Sequence, residues 1–278
     1  MIRFFRFLFL SAVLLGAGGV HAQIDSATAE SLLRKSGLWE QLGSIAEQTE
    51  AGLPGVFAQN GSKPSADELA RITRIIRESY SAQRLREVSK GVVSEKLSAG
   101  HVPELQRWFD SAVGQTITKL EEQASADIGD PQAQLRQGVA LLQKSSPARR
   151  QLLEELLKET RSAEVMTQIT INTSLAAVRG VASVSPQART LSEGELKAAL
   201  EAQRPKMMQG FSAMALAGFA RTYASLSTEH LRSYVAFLKS DAARQYNDLG
   251  IEALDAALTE AAADFGRKLP GTKDQAHT

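Results

Sequence analysis

Apolar residues recur along this chain at intervals of three and four and show no sustained alternation with polar ones. From Leu105 the series Trp108/Phe109, Ala112/Val113, Thr116/Ile117 and Leu120 falls at i, i+3, i+4 and i+7, which draws one apolar stripe down a helix. A second stripe runs through Leu231, Tyr234/Val235, Leu238, Ala242, Tyr246 and Leu249. Strand signals, meaning period-two runs of β-branched and aromatic residues bounded by tight turns, are nearly missing. The β-branched run Ile169-Thr170-Ile171 has helix-forming neighbours and is read as helix. The pattern predicts an all-α fold.

The two stripes match each other. Leu97 to Leu120 lies on Leu226 to Leu249 without a gap, with Leu97/Leu226, Ser98/Ser227, His101/His230, Ser111/Ser240 and Leu120/Leu249 identical. Apolar positions also coincide: Val102/Leu231, Leu105/Tyr234, Trp108/Phe237, Phe109/Leu238 and Ile117/Tyr246. The match extends backwards through Tyr80-Ser81-Ala82 on Phe211-Ser212-Ala213, Leu85 on Leu216, and Val88 on Phe219. Ser65 to Leu69 lies on Ser192 to Leu196, and Leu32, Leu33, Ile45 and Thr49 lie on Leu156, Leu157, Ile169 and Thr173. Internal repetition of this length decides architecture. It predicts two tandem helical units, 23–145 and 146–268, packed as a pseudo-symmetric helical bundle, with a polar, frayed tail at 269–278.

Each unit is read as four elements, near 27–52, 66–79, 80–96 and 99–126 in the first, and 147–179, 193–204, 206–225 and 228–248 in the second. An extra helix follows each, at 131–144 and 250–268. Ser98 and Ser227 stand where N-caps are needed, and Ser65-x-x-Glu68 and Ser192-x-x-Glu195 have capping-box spacing. Asp130-Pro131 and Ser146-Pro147 are helix starts. Loops are expected at 52–64 and 180–191, in corresponding places of the two units.

The first 22 residues interrupt this pattern. Arg3 and Arg6 precede the apolar run FLFLSAVLLGAGGV, and Val20-His21-Ala22 fits the small-x-small rule for cleavage before Gln23. This predicts a cleavable signal peptide and a periplasmic protein, with secretion as the alternative. No other segment is long and apolar enough to span a membrane. Loss of Arg3 and Arg6 takes the formal charge from +1 to −1, so a nucleic-acid partner is not expected. With no cysteine, the exported chain depends on its core, for which the remaining 256 residues suffice.

Candidate chemistry is sparse. No HExxH pair, nucleophile elbow, Walker or Rossmann loop is present, so no catalytic residue, metal or cofactor is assigned. His101 and His230 occupy equivalent places after a serine and read as local structure, or, if a two-fold axis brought them together, as a pH-sensing pair. Glu121/Glu122 and Glu154/Glu155 are adjacent pairs that point about 100° apart on a helix and read as solvated faces. Arg149 and Arg150 read the same way. The stretch MMQGFSAMALAGFA reads as a core helix of the second unit, with Gly210, Ala213, Ala215, Ala217 and Gly218 permitting close approach. As the alternative, Met207, Met208, Phe211, Met214 and Phe219 line an apolar groove.

Leu226 to Leu231 followed by Val235 to Arg244 resembles the C-terminal signature of a bacterial secreted family, domain of unknown function 2059. Its pattern is a serine or threonine cap with acidic residues, a leucine, an aromatic pair, a serine, a small residue and glycine. Trp108 to Gln115 resembles it too, with Gly114 at the usual glycine, whereas Ala243 and Leu238 depart from it. The resemblance implies an all-helical exported protein of Gram-negative bacteria, no enzymatic activity, and packing or capping roles for the motif residues. The expected function is a non-enzymatic module that binds an envelope protein or component. The rivals are a carrier of an apolar small molecule or lipid, and an enzyme with dispersed catalytic residues.

Overall fold

Twelve α-helices and one 3-10 turn, with no strand, account for the residues that the computed structural model describes, namely 23–59, 61, 63–127, 129–184 and 192–269. The expected signal peptide at 1–22, residues 185–191 of the loop expected at 180–191, and residues 270–278 of the expected tail lie outside them, while 180–184 are helical. In chain order the helices are α1 (Ser26–Lys35), α2 (Leu38–Gln59), α3 (Ala66–Ser79), α4 (Ala82–Lys96), α5 (Val102–Phe109), α6 (Ala112–Ala126) and α7 (Pro131–Lys144). There follow α8 (Pro147–Thr160), α9 (Ser162–Val184), α10 (Glu193–Thr222), α11 (Thr228–Leu238) and α12 (Asp241–Lys268). The 3-10 turn Ala99–His101 leads into α5.

Several expected helices are broken, and the breaks fall at matched positions. The element expected at 27–52 is cut at Gly37, whose φ is +76°, and the one at 147–179 is cut at Arg161, whose φ is +51°. In the register of Leu32/Leu156 these are the same position, and Arg161 is the only non-glycine residue with positive φ among the described residues. The elements at 99–126 and 228–248 are likewise cut, at Asp110–Ser111 and Lys239–Ser240. The repeated serines are the N-caps after the corners: Ser111 Oγ accepts from Gly114 N at 3.0 Å and Ser240 Oγ from Ala243 N at 3.3 Å. A Cβ at Gly114 would sit 3.0 Å from the Trp108 carbonyl carbon, so the first corner needs its glycine.

Other boundaries differ from the sequence reading. α2 continues to Gln59 through Pro54, so the loop expected from Gly52 begins later. α10 is one 30-residue helix that passes through Pro205, where two helices were expected. A proline in a propagating helix removes one hydrogen bond but no nucleus, and Pro205 is solvent-exposed. The corresponding break between α3 and α4 is real because tertiary contacts hold it: Ser79 Oγ donates to Asp264 at 2.9 Å, and Tyr80 packs on Phe265 with ring centroids 6.3 Å apart. Ser227 caps α11 by accepting from His230 N at 3.1 Å, whereas Ser98 makes no side-chain cap; its own N–H donates to Gln245 Oε1 at 3.1 Å. The capping box is complete at Ser192/Glu195 and half-made at Ser65, which accepts from Glu68 N.

Two cores sit side by side, and each borrows a helix from the other half. One gathers Leu32, Leu33, Leu97, Leu105 and Phe109 from the first half with Ala242, Tyr246 and Leu249 of α12. The other gathers Leu156, Leu226, Leu231 and Leu238 from the second half with Ile117 of α6, flanked by Val113 and Leu120. A third cluster joins Leu42 and Leu85 to Ala257 and Ala261 of α12. Within the halves, α1 on α4 and α1 on α5 have the counterparts α8 on α10 and α8 on α11; across them, α12 packs on α4 and α5 while α6 packs on α10 and α11. Trp108 stacks on Phe237, its partner in the alignment, with centroids 4.3 Å apart and planes 8° from parallel.

One pair of helices breaks the parallel. α12 packs along α9 backbone to backbone: a Cβ at Gly266 would lie 2.9 Å from the Ala177 carbonyl carbon, and one at Gly180 would lie 3.0 Å from Gly266 Cα. In the first half the chain bends at Asp127–Asp130, and α7 turns away from α2 to pack on α10, with Gly138 against Ala217. That divergence leaves a gap beside α2.

Candidate functional site

The gap is a cleft of roughly 890 Å³ whose walls come from both halves. α2 contributes Gln41, Gln48 and Ala51, and α6 contributes Glu121, Ala124 and Ser125. The second half supplies Thr160 and Ser162 at the α8–α9 break, Phe219, Arg221 and Tyr223 at the end of α10, and Tyr234 from α11. A smaller pocket of about 210 Å³ adjoins it and shares Gln41, Glu121 and Tyr234; Leu38, Phe109, Phe237, Tyr246, Ile251 and Leu254 are among its lining residues. The cleft carries polar groups from Gln48, Ser125, Asp127, Gln134 and Arg221 on largely apolar walls, and the inner pocket is mainly apolar with Ser36 and Asn247 in its lining.

Glu121 is the chemical centre. It continues the α6 stripe one turn after Ile117, so its side chain is carried into the interface between the halves. Its Oε1 accepts a hydrogen bond from Tyr223 OH at 2.6 Å and another from Tyr234 OH at 2.9 Å. The residue keeps some surface open to the cleft, but burial of the carboxyl pushes its pKa up, while the two phenols pull it back and neighbouring Glu122 adds to the rise. Tyr223 and Tyr234 are pushed well above the usual phenol range by burial first and then by the Glu121 charge, so both stay protonated as donors.

The supports are local and specific. Arg149 donates to the backbone carbonyls of Tyr223 and Leu226, holding the α10–α11 junction that presents Tyr223. Asp127 accepts from Arg221 Nη1 at 2.7 Å, and this guanidinium, with the Gly129 N–H, holds its carboxyl below the usual range. Gln134 Nε2 donates to the Asp127 carbonyl at 3.1 Å and Gln48 Nε2 to the Ser125 carbonyl at 3.0 Å, which fixes the bend and ties α2 to it. In the inner pocket Ser36 and Tyr246 share a hydrogen bond of 2.8 Å.

A row of rings runs past Glu121 from one core to the other. Phe219, Tyr223, Tyr234, Trp108, Phe237, Phe109 and Tyr246 follow one another with centroid spacings between 4.3 and 6.1 Å. Offset and edge-on ring pairs at such distances are favourable beyond the area they bury.

The structure corrects several sequence assignments. Glu121 and Arg149 are site-building residues, while Glu154 and Arg150 do lie on solvated faces. α10 is no core helix: among its residues only Ala217 and Ala220 are buried, and Met214 is 56% exposed. Met207, Met208 and Phe211 are half-buried, and of the five residues expected to form an apolar groove only Phe219 lines the cleft. Its apolar residues are spread around the helix and shared between α9 and α7. Gly210 and Gly218 face open space rather than a close helix neighbour. His101 Nδ1 is hydrogen-bonded to Gln245 Oε1 at 2.8 Å, whereas His230 is exposed, so the equivalent histidines have different surroundings. Among the described residues no group of three acidic or histidine side chains is placed to hold a metal, and no helix is long and apolar enough to cross a membrane.

Comparison of the chain with family models, with curated protein sequences and with solved structures gave no match.

Proposed function

We propose that the protein is an exported, non-enzymatic binding module of the cell envelope, made of two copies of one helical unit, whose ligand seats in the cleft between them. The observation that carries the reading is Glu121: an enclosed carboxyl, held by two phenols, in the lining shared by the cleft and the smaller, mainly apolar pocket. Small-molecule sites are usually concave, with mostly apolar walls and a few convergent polar groups, and the larger cleft has the volume of such a site. Three features support the two-copy origin: the matched left-handed breaks at Gly37 and Arg161, the exchange of α6 and α12 between cores, and Trp108 on Phe237. A two-fold relation brings equivalent residues together at its axis. The resemblance to domain of unknown function 2059 belongs to the same proposal, with its serine and glycine positions acting as corner residues.

Native mass spectrometry of the full chain, expressed with residues 1–22 and purified from the periplasm, tests this. The expected result is a mature chain starting at Gln23 that carries a small-molecule adduct, and an Ala124→Trp variant that has lost it. Cytoplasmic retention, or an adduct that survives Ala124→Trp, contradicts the reading. One observation favours a second reading: a carboxyl with a raised pKa in a cleft also suits a general acid. Turnover in a hydrolase panel that disappears in Glu121→Gln would select it.

A further inference from the structure

The geometry points to an organic ammonium group as the ligand feature recognised beside Glu121, with an alkyl portion running into the inner pocket; this rests on the cleft being the binding site. Both phenol hydrogens go to Oε1 of Glu121, and Oε2 makes no hydrogen bond with the described residues. No lysine or arginine among the described residues pairs with this carboxylate, and Arg221, the guanidinium in the same cleft, is committed to Asp127. An enclosed carboxylate without a counter-ion is costly, and a cation supplied by the ligand removes that cost. An anionic ligand would meet the carboxylate as a like charge, and a neutral one would leave it to relieve its burial only by holding a proton.

The walls suit the same group. Tyr223 and Tyr234, T-shaped with centroids 6.0 Å apart, flank Glu121, and Phe219 adds a third ring to the lining of the cleft. Ring faces attract an ammonium through their quadrupoles, and more strongly where water is excluded. Beyond Glu121 the inner pocket presents Leu38, Phe237, Ile251 and Leu254, which fit hydrocarbon; of its remaining polar groups Ser36 and Tyr246 are hydrogen-bonded to each other, and Asn247 also lines it. Gln41 lines both cavities, as Glu121 does, and marks the mouth between them.

Isothermal titration with hexylammonium chloride and with 1-hexanol, a neutral molecule of the same length, tests the inference. The full mature chain is expected to bind hexylammonium about tenfold more tightly than hexanol. Glu121→Gln, its fold checked by circular dichroism, is expected to erase that preference and keep hexanol binding. Should Glu121→Gln not fold, Gln41→Lys places a competing ammonium at the mouth and is expected to weaken hexylammonium about tenfold, with hexanol unchanged. Equal affinities of the wild type for the two probes, or a preference that survives either substitution, overturn the ammonium assignment and leave the cleft as a binding site. Binding of neither probe overturns both.

Discussion

Replacing Gly266 with alanine is the perturbation whose sign depends most on the fold. In an open helical position the change is favourable by about 1 kcal/mol, because alanine is the best helix former and glycine nearly the worst. At Gly266 the new methyl would collide with the Ala177 carbonyl oxygen, 2.9 Å from its carbonyl carbon and 3.1 Å from its Cα. These are backbone atoms that no rotamer change can move. The carbonyl oxygen would lie closer still to the new carbon, far inside the ordinary contact distance of about 3.5 Å, so α9 and α12 must part by about 1 Å or more. A gap of that size forfeits roughly half of the dispersion at each contact along the seam, and overpacking of this kind typically costs about 1–3 kcal/mol. Taking the upper part of that range against the helix gain leaves a loss of about 2 kcal/mol, or a fall in melting temperature of about 4–8 °C for a chain of this size. Gly210→Ala and Gly218→Ala supply the control, since nothing lies within 4 Å of either new methyl. Each is expected to stabilise by about 1 kcal/mol. Urea unfolding followed by far-ultraviolet circular dichroism gives the midpoints, with unchanged slopes showing that stability alone has moved. A Gly266→Ala midpoint at or above that of the wild type would refute the backbone-to-backbone seam, and with it the reason why the open side of the structure faces α2.

Three further outcomes follow from the structure. Gly37→Ala puts a side chain at φ +76° with its Cβ 3.2 Å from Thr118 Cγ2, and is expected to cost about 1–2 kcal/mol; Arg161→Gly at the matched break relieves a left-handed non-glycine residue and is expected to be neutral or stabilising in the same urea titration. Burial raises the pKa of Glu121 above its unfolded value, so its stabilising proton is fully in place below the ordinary carboxylate range and is lost as pH rises through the folded value. Wild-type stability is therefore expected to fall relative to Glu121→Gln as the buffer goes from acid to neutral, and parallel pH profiles would remove the enclosed-carboxyl assignment. Trp108→Ala removes a ring that packs against both cores and is expected to cost about 3 kcal/mol, while Trp108→Phe retains most of the stack on Phe237 and loses about 1 kcal/mol.

The stripes at 105–120 and 231–249 made the helical class legible, because a 3.6-residue period has a direct physical meaning. The serines at 65, 192 and 227 were legible as caps for the same reason: one oxygen can satisfy one free amide of a first turn. The breaks at Gly37 and Arg161 were harder to read. Gly37 follows Arg34, Lys35 and Ser36, a basic last turn and glycine that mark a helix end, but the apolar residues on both sides of it read as one element; Arg161 takes its left-handed conformation without a local sequence cue. Pro54 and Pro205 misled in the opposite direction, since an exposed proline interrupts a long helix less than it appears to on paper. The methionine-rich stretch of α10 looked like core because its composition is apolar, yet its residues are spread around the helix and Met214 faces solvent. Glu121 was the costliest omission. Read as half of the pair Glu121-Glu122 it is one more surface charge; read as the position four residues beyond Ile117 it lies on the buried face, and that second reading was available from the spacing alone. The cleft was not available from spacing, because it arises where α7 parts from α2 while α12 stays on α9.

A crystal structure of the full chain purified from the cells that make it, without added ligand, tests the central claim most directly. The account expects electron density in the cleft within hydrogen-bonding distance of Oε2 of Glu121, continuing into the pocket lined by Leu38 and Leu254. Separated water positions alone at that carboxylate, with the inner pocket empty or closed by side chains, would contradict it.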